Sequence, residues 1–393
     1  MTNSIKKKIF TLSANLNVYI DGGLFIKSIK EIAEILSSDI SQRKLGNPFF
    51  NEKNYKSYPL DEKNFYEIKS SKNQHKLAFI DGGNQELLPA PEYSVQLNRV
   101  YFNIFKNNER VSPRSNISQR IEFLSFTSSK LDGKNIQFET KIATEENFRK
   151  YLPNEEDLKA STFDEEIETG TQAGMERMAS MARRFSEWTI AEHIIDSELD
   201  SGDIIIKDGS LQTGHTNEYK YVDRVFKKAL GKKVIFAGLS KTCRLTTDTQ
   251  ISLVDSIQRL AEESDISLDK WCYYPVAMSK EENSNHRALI MIVKLNKHAY
   301  TSFRFEILKE QADEMDDEDI LEVLSMVADN SRDIRLPGYP YGLIDADMWA
   351  RVKNDELEGY KTKLYSELSK NGVWSKVNPL MKIVDTHEKL DNK

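Results

Sequence analysis

Asp203-Ile204-Ile205-Ile206-Lys207-Asp208-Gly209-Ser210-Leu211 is the stretch whose reading decides the fold. Three consecutive isoleucines predict a central strand buried on both faces. Downstream, Tyr219–Leu230 has helical spacing, Gly231 stands where a helix cap is expected, and Lys233–Leu239 reads as another strand. Strand, helix, strand in that order predicts a parallel pair joined by a crossover. Upstream, Lys76–Ile80 reads as a strand. Leu97–Phe105, Ile121–Phe126 and Phe138–Ile142 follow it with β-rich composition, which predicts an antiparallel meander. Between meander and crossover lies the strongest helical signal, Met175–Leu199. Met178, Met181, Ala182, Phe185, Trp188 and Ile195 make one apolar stripe there, flanked by Ile190, Ala191 and Ile194. Ala288–Leu295 and Ser302–Leu308 read as strands and Asp316–Ala328 as a helix with an acidic first turn. The acids of 313–319 read as a solvated helix start. The loop Arg335-Leu336-Pro337-Gly338-Tyr339-Pro340-Tyr341-Gly342 leads into a helix from about Asp345.

The expected class is α/β, an RNase H-like mixed sheet flanked by helices. Three parts are expected along the chain. Residues 1–70 form a helical and loop appendage suited to a dimer or partner contact. Within it Gly23–Ser37 has helical spacing, with Phe25, Ile29, Ile32, Ile35 and Leu36 on one stripe, and Asn47–Ser71 reads as loop. Residues 71–355 form the core, and 356–393 a C-terminal helical extension.

A chain of 393 residues, 39% hydrophobic, is long enough for a large core. Cys243 and Cys272 alone build neither a disulfide framework nor a four-cysteine zinc site, which fits a reduced, cytoplasmic protein. No apolar run approaches the roughly 20 residues of a membrane helix. The start at Lys6-Lys7-Lys8-Ile9-Phe10 does not read as a signal peptide, because Ser13, Asn15 and Asn17 break its apolar stretch. A net charge of −7 argues against a protein that simply coats DNA, but not against an enzyme whose basic groups line one channel. The six histidines show no paired metal spacing, and no GxSxG or Cys/His pairing suggests acyl chemistry.

Three acids stand where a solvated carboxylate is not the default. Asp81 ends Leu77-Ala78-Phe79-Ile80 and precedes Gly82-Gly83, Asp208 ends the isoleucine strand, and Glu187 shares a helix face with Ile190, Ala191 and Ile194. Singly, each has an ordinary reading: turn formers before glycine for the aspartates, a surface helix residue for the glutamate. Together they fall in the RNase H-like order, where strand ends and a crossing helix converge at one edge of the sheet. Such a cluster collects hard divalent cations, and a pair of them can activate water and stabilise a leaving oxygen. Arg183 and Arg184, one turn before Glu187, suit a scissile phosphate, a brace for Glu187, or plain salt bridges. Arg99 and Lys241 are the expected DNA-backbone contacts, Lys241 in a Ser-Lys-Thr that lacks the upstream glycine of a P-loop.

Five segments in order resemble the NurA nucleases: Ala78-Phe79-Ile80-Asp81-Gly82-Gly83-Asn84 with Leu97-Asn98-Arg99-Val100; Arg183-Arg184-Phe185-Ser186-Glu187-Trp188 with Ala191; Asp203 to Leu211; Ala237-Gly238-Leu239-Ser240-Lys241-Thr242; and Gly338-Tyr339-Pro340-Tyr341-Gly342-Leu343-Ile344-Asp345-Ala346-Asp347. The resemblance covers roughly residues 75–355. It implies a DNA nuclease using two Mn2+ or Mg2+ ions, held by Asp81, Glu187, Asp208 and Asp347, with Tyr339 beside the DNA. It also implies a homodimer working with a HerA-like hexameric DNA-translocating ATPase, in 5'-3' end resection for repair or in DNA degradation for phage defence. Well-known members carry a histidine where this chain has Asp347; a carboxylate there still suits a hard metal, and His387 is the other candidate. Two other readings remain at this stage. One is a catalytically weak assembly subunit of a DNA motor. The other is an actin/hexokinase-type ATPase, for which no second Gly-rich phosphate loop pairs with Asp81.

Overall fold

The computed structural model describes residues 23–71, 73–133, 135–161 and 174–379. Thirteen strands form one sheet: β1 (Tyr55–Ser57), β2 (Phe65–Glu67), β3 (Lys76–Pro89), β4 (Tyr93–Lys106), β5 (Glu109–Arg110), β6 (Arg120–Asp132), β7 (Asn135–Ala143), β8 (Ala160–Ser161), β9 (Ile204–Asp208), β10 (Ile235–Ser240), β11 (Trp271–Ser279), β12 (Ala288–Lys294) and β13 (Phe303–Leu308). The helices among the described residues include α1 (Gly23–Gln42), α2 (Met175–Ala179), α3 (Met181–Ser197), α4 (Glu218–Lys232), α5 (Leu253–Glu263), α6 (Lys309–Ala312), α7 (Asp317–Asp329), α8 (Tyr341–Ala350) and α9 (Asn354–Lys370).

The centre of the sheet runs β6-β4-β3-β9-β10. β3, β4 and β6 are antiparallel neighbours, while β9 lies parallel to both β3 and β10. This order, third-second-first-fourth-fifth, is the RNase H-like arrangement expected from the element order. Side-chain alternation divides the core into two layers. Ala78 and Ile80 of β3 with Ile205 of β9 pack under α3. Leu77 and Phe79 with Ile204 and Ile206 pack on the other face, with Tyr339 and with Leu343 of α8. The three isoleucines are thus buried on both faces, as their run predicted.

Several expectations needed correction. Asn47–Ser71, read as loop, contributes β1 and β2, both paired with β11. β11 itself escaped notice because Pro275 argues against a central strand. The pairing absorbs it with a register shift against β12 between Tyr273 and Ala277. Gly231 lies inside α4; the cap is Lys233, at φ 54. α8 starts at Tyr341, not at Asp345, because Pro340 sets an extended N-cap directly before it. β3 does not stop at Asp81 but runs to Pro89 along β4, whereas its parallel pairing with β9 ends at Ile80. Asp81 therefore stands at a strand end on one side only.

α8 lies close on the sheet because Gly342 faces the fully buried Phe79 ring, which a Cβ at 342 would overlap. Gly342→Ala is expected to destabilise the chain by roughly 1–3 kcal/mol, the usual range for overpacking. Urea denaturation checks this, and an unchanged midpoint would show that α8 is not seated as described.

Candidate metal centre

Asp81 and Asp208 meet where the parallel pairing of β3 and β9 ends, Asp208 at the end of β9 and Asp81 in mid-strand on β3. Asp81 accepts a hydrogen bond at 2.7 Å from the Gly82 amide. After Asp208 the chain turns at Gly209, whose φ of +92 few side-chain-bearing residues adopt. The buried Glu306 carboxylate secures that turn by accepting from the Leu211 amide at 2.7 Å. Glu306 is itself held by His286 at 3.0 Å and by Arg304. Burial raises the Glu306 pKa, but Arg304 and His286 overcome that and hold it down at about 2. The Tyr339 hydroxyl donates to Asp208 Oδ1 at 2.8 Å and fixes its rotamer. Burial, then the Asp208 charge, pushes the Tyr339 phenol well above its ordinary pKa, so it remains a donor. α8 brings Asp347 to the same place. A cleft of about 200 Å³ opens over the cluster, lined by Asp81, Gly82–Gln85, Asp208, Asp347 and Ala350–Val352.

The Lys241 ammonium lies among these three carboxylates, 2.7 Å from Asp347, 3.1 Å from Asp208 and 3.7 Å from Asp81. Burial and the neighbouring Asp208 charge push the Asp81 pKa up to about 8, against the opposing pull of Lys241. Burial disfavours the Lys241 ammonium, but the Asp208 and Asp81 charges raise its pKa overall. One lysine does not offset the crowding felt by Asp81. As they stand, no three His, Cys, Asp or Glu side chains among the described residues are gathered as a metal site. The donor set nevertheless fits a hard divalent cation: three carboxylates share a single ammonium, on a lysine whose side chain is 36% exposed and long enough to reach outward.

Glu187 is placed differently. It lies on α3, against the other face of the sheet, and reaches Gly82, where a Cβ would come within 2.5 Å of its Oε1. Its carboxylate is bound by Arg183 and, at 2.7 Å, by Lys207. Burial opposes its ionisation, yet the Lys207 and Arg183 charges lower its pKa.

The other residues singled out in the sequence have varied surroundings. Arg99 is 2% exposed, and its five N–H groups go to Glu122, Glu356 and the Arg351 carbonyl. It ties α9 to β4 and presents no donor to DNA, because its charge is consumed by two carboxylates. Tyr339 is fully buried and orients Asp208 instead of offering a ring to a base. Arg184 donates to Glu218 and to the Gln212 carbonyl, both at 2.5 Å. Arg183 bonds Glu187 and the Gly82 carbonyl. His387 lies outside the described residues. Two residues went unremarked in the sequence: Lys207, which read as part of an apolar strand, and Arg351, which pairs with Asp347 at 2.6 Å on the cleft rim with its side chain 67% exposed. Only the position of Arg351, four residues beyond Asp347 and at the C-cap of α8, pointed to such a pairing.

A family model described as NurA domain matches residues 75–352. Among curated proteins none matches the chain. Two solved structures of Aquifex aeolicus Argonaute are similar at 8% and 7% identity, with TM-scores of 0.28 and 0.26, over 74% and 71% of this chain. This chain spans only 29% and 28% of theirs, and superpositions this loose say nothing about function.

With its pKa at about 8, Asp81 is protonated below that pH, and a cation must displace the proton to bind. Mn2+ affinity is therefore expected to rise by about tenfold per pH unit up to about 8 and to flatten above it. Calorimetry in buffers of different ionisation enthalpy measures the released proton. Affinity that does not change between pH 6 and 8 would contradict the crowding described here.

Proposed function

The chain belongs to the NurA-domain family, a family of nucleases, and on that premise we propose that it hydrolyses phosphodiester bonds in DNA with a divalent cation, Mn2+ or Mg2+. The observation that carries the proposal is the set of three aspartates from β3, β9 and α8 around one exchangeable ammonium. Asp81, Asp208 and Asp347 would hold the cation. When bound, such an ion polarises a phosphoryl oxygen and lowers the pKa of a water. The protein's own groups do the rest. Tyr339 keeps Asp208 turned to the cleft, and Asp81 gives up its proton on loading. Lys241, released from the aspartates, is long enough to meet a non-bridging phosphate oxygen. Arg351, exposed and held only by a rim salt bridge of small worth, is free to exchange Asp347 for a DNA phosphate.

The family typically acts on DNA with a HerA ATPase. For this chain a HerA-like hexameric translocase and a second copy are the proposed partners, in end resection or in DNA degradation. An apolar stripe on α1, with Ile29, Ile32, Ile35 and Leu36 all more than half exposed, supports a protein contact there. The net charge of −7 also favours a partner that delivers the DNA, since the chain has little unspecific grip of its own.

Purified protein should degrade end-labelled linear DNA when Mn2+ or Mg2+ is added. Asp81→Ala and Asp208→Ala should each lower the rate by at least about two orders of magnitude, since even outer-shell partners of a metal are worth roughly 10–100-fold. Full activity in either variant would remove these residues from the site. Arg351→Ala should raise KM severalfold with little change in kcat, the signature of a lost binding contact.

A further inference from the structure

We infer that Lys207 and Glu187 form a built-in ion pair whose ammonium takes the place of a second metal ion, so that each chain loads a single divalent cation at Asp81, Asp208 and Asp347. The inference rests on the metal-dependent reading above.

The two lysines of the site differ. Lys241 has a side chain 36% exposed and shares three carboxylates that it can leave. Lys207 has a side chain 6% exposed and meets a Glu187 side chain only 3% exposed. Its Nζ lies 2.7 Å from Glu187 Oε2, donates to the Asp208 carbonyl at 3.0 Å and sits 5.2 Å from the centre of the Trp188 ring. An ammonium fixed by a carboxylate, a carbonyl and an aromatic face, with almost no exposure, is held in place far more firmly than Lys241.

The other Glu187 oxygen is taken by Arg183, which also donates to the Gly82 carbonyl at 3.3 Å. Glu187 is therefore already neutralised twice. A divalent ion bound to it would be a further cation within reach of two others. Strand alternation explains the arrangement. Asp208 and Asp81 share the face of Ile206 and Phe79, toward Tyr339 and α8, while Lys207 shares the face of Ile205, toward α3. Lys207 and Glu187 hence meet behind the aspartates. Through the Asp208 and Gly82 carbonyls, Lys207 and Arg183 hold the backbone next to each of these aspartates. Lys207 is in this sense a positioning residue.

The test is Mn2+ titration of the full chain near pH 8.5, by calorimetry and by electron paramagnetic resonance, with and without a phosphorothioate duplex. One Mn2+ per chain and an uncoupled spectrum are expected. Two Mn2+ ions per chain, with the spectrum of a spin-coupled pair, would overturn the inference. Glu187→Gln should still bind one ion; a second ligand role for Glu187 would show as a fall from two ions to one. Lys207→Met should gain a second, coupled Mn2+ if it folds, and if it does not, the wild-type stoichiometry decides. Absence of any Mn2+ binding by the wild type would remove the three-aspartate reading itself, and this inference with it.

Discussion

Two carboxylates, one of them buried, stand side by side where the parallel pairing of β3 and β9 stops, and the rest of the site answers that constraint. Asp81 and Asp208 are brought together because the β3–β9 pairing stops at Ile80 and Lys207. Burial and the neighbouring Asp208 charge raise the cost of ionising Asp81, whose pKa is pushed up to about 8. The pair requires positive charge. In the protein alone Lys241 supplies it; in the working enzyme, on the account proposed here, a divalent cation does.

The surrounding charges are arranged so that this need is not met from elsewhere. Arg99, one strand away, is consumed by Glu122 and Glu356. Arg184 is consumed by Glu218. Arg110 is paired with Asp345, the buried acid of α8 that precedes Asp347 by two residues. Arg183 and Lys207 are consumed by Glu187. Each nearby cation thus has a carboxylate of its own, and among the described residues Lys241 and Arg351 are the cations paired with the three aspartates. Buried ion pairs of this kind add little to stability but fix geometry, since removing one partner leaves the other uncompensated.

The sequence revealed the central strands and the crossover, and it put Asp81 and Asp208 after apolar runs, because each rests on local pattern. Three isoleucines mark a doubly buried strand, and Asp-Gly after the apolar runs marks where the pairing of β3 with β9 stops. The Tyr-Pro segment marked α8 well enough to place Asp347, though not where the helix begins. Long-range pairing was the part that stayed hidden. Arg99 looked available to DNA because its partner Glu356 lies 257 residues away. Lys207 looked like the polar end of a strand because nothing local shows that α3 places Glu187 over it. Tyr339 was expected beside DNA, and only the packed fold shows its hydroxyl turned inward to Asp208. β11 was missed because a proline inside a strand is normally a sign against one.

The central claim is that Asp81, Asp208 and Asp347 are one cation site occupied by Lys241 until the metal arrives. Crystals of the protein soaked in Mn2+ and measured for anomalous scattering test it most directly. The account predicts a peak between the three aspartates, with the Lys241 ammonium moved away from them. Lys241 still seated among them, with no peak there or with manganese bound elsewhere, would contradict it.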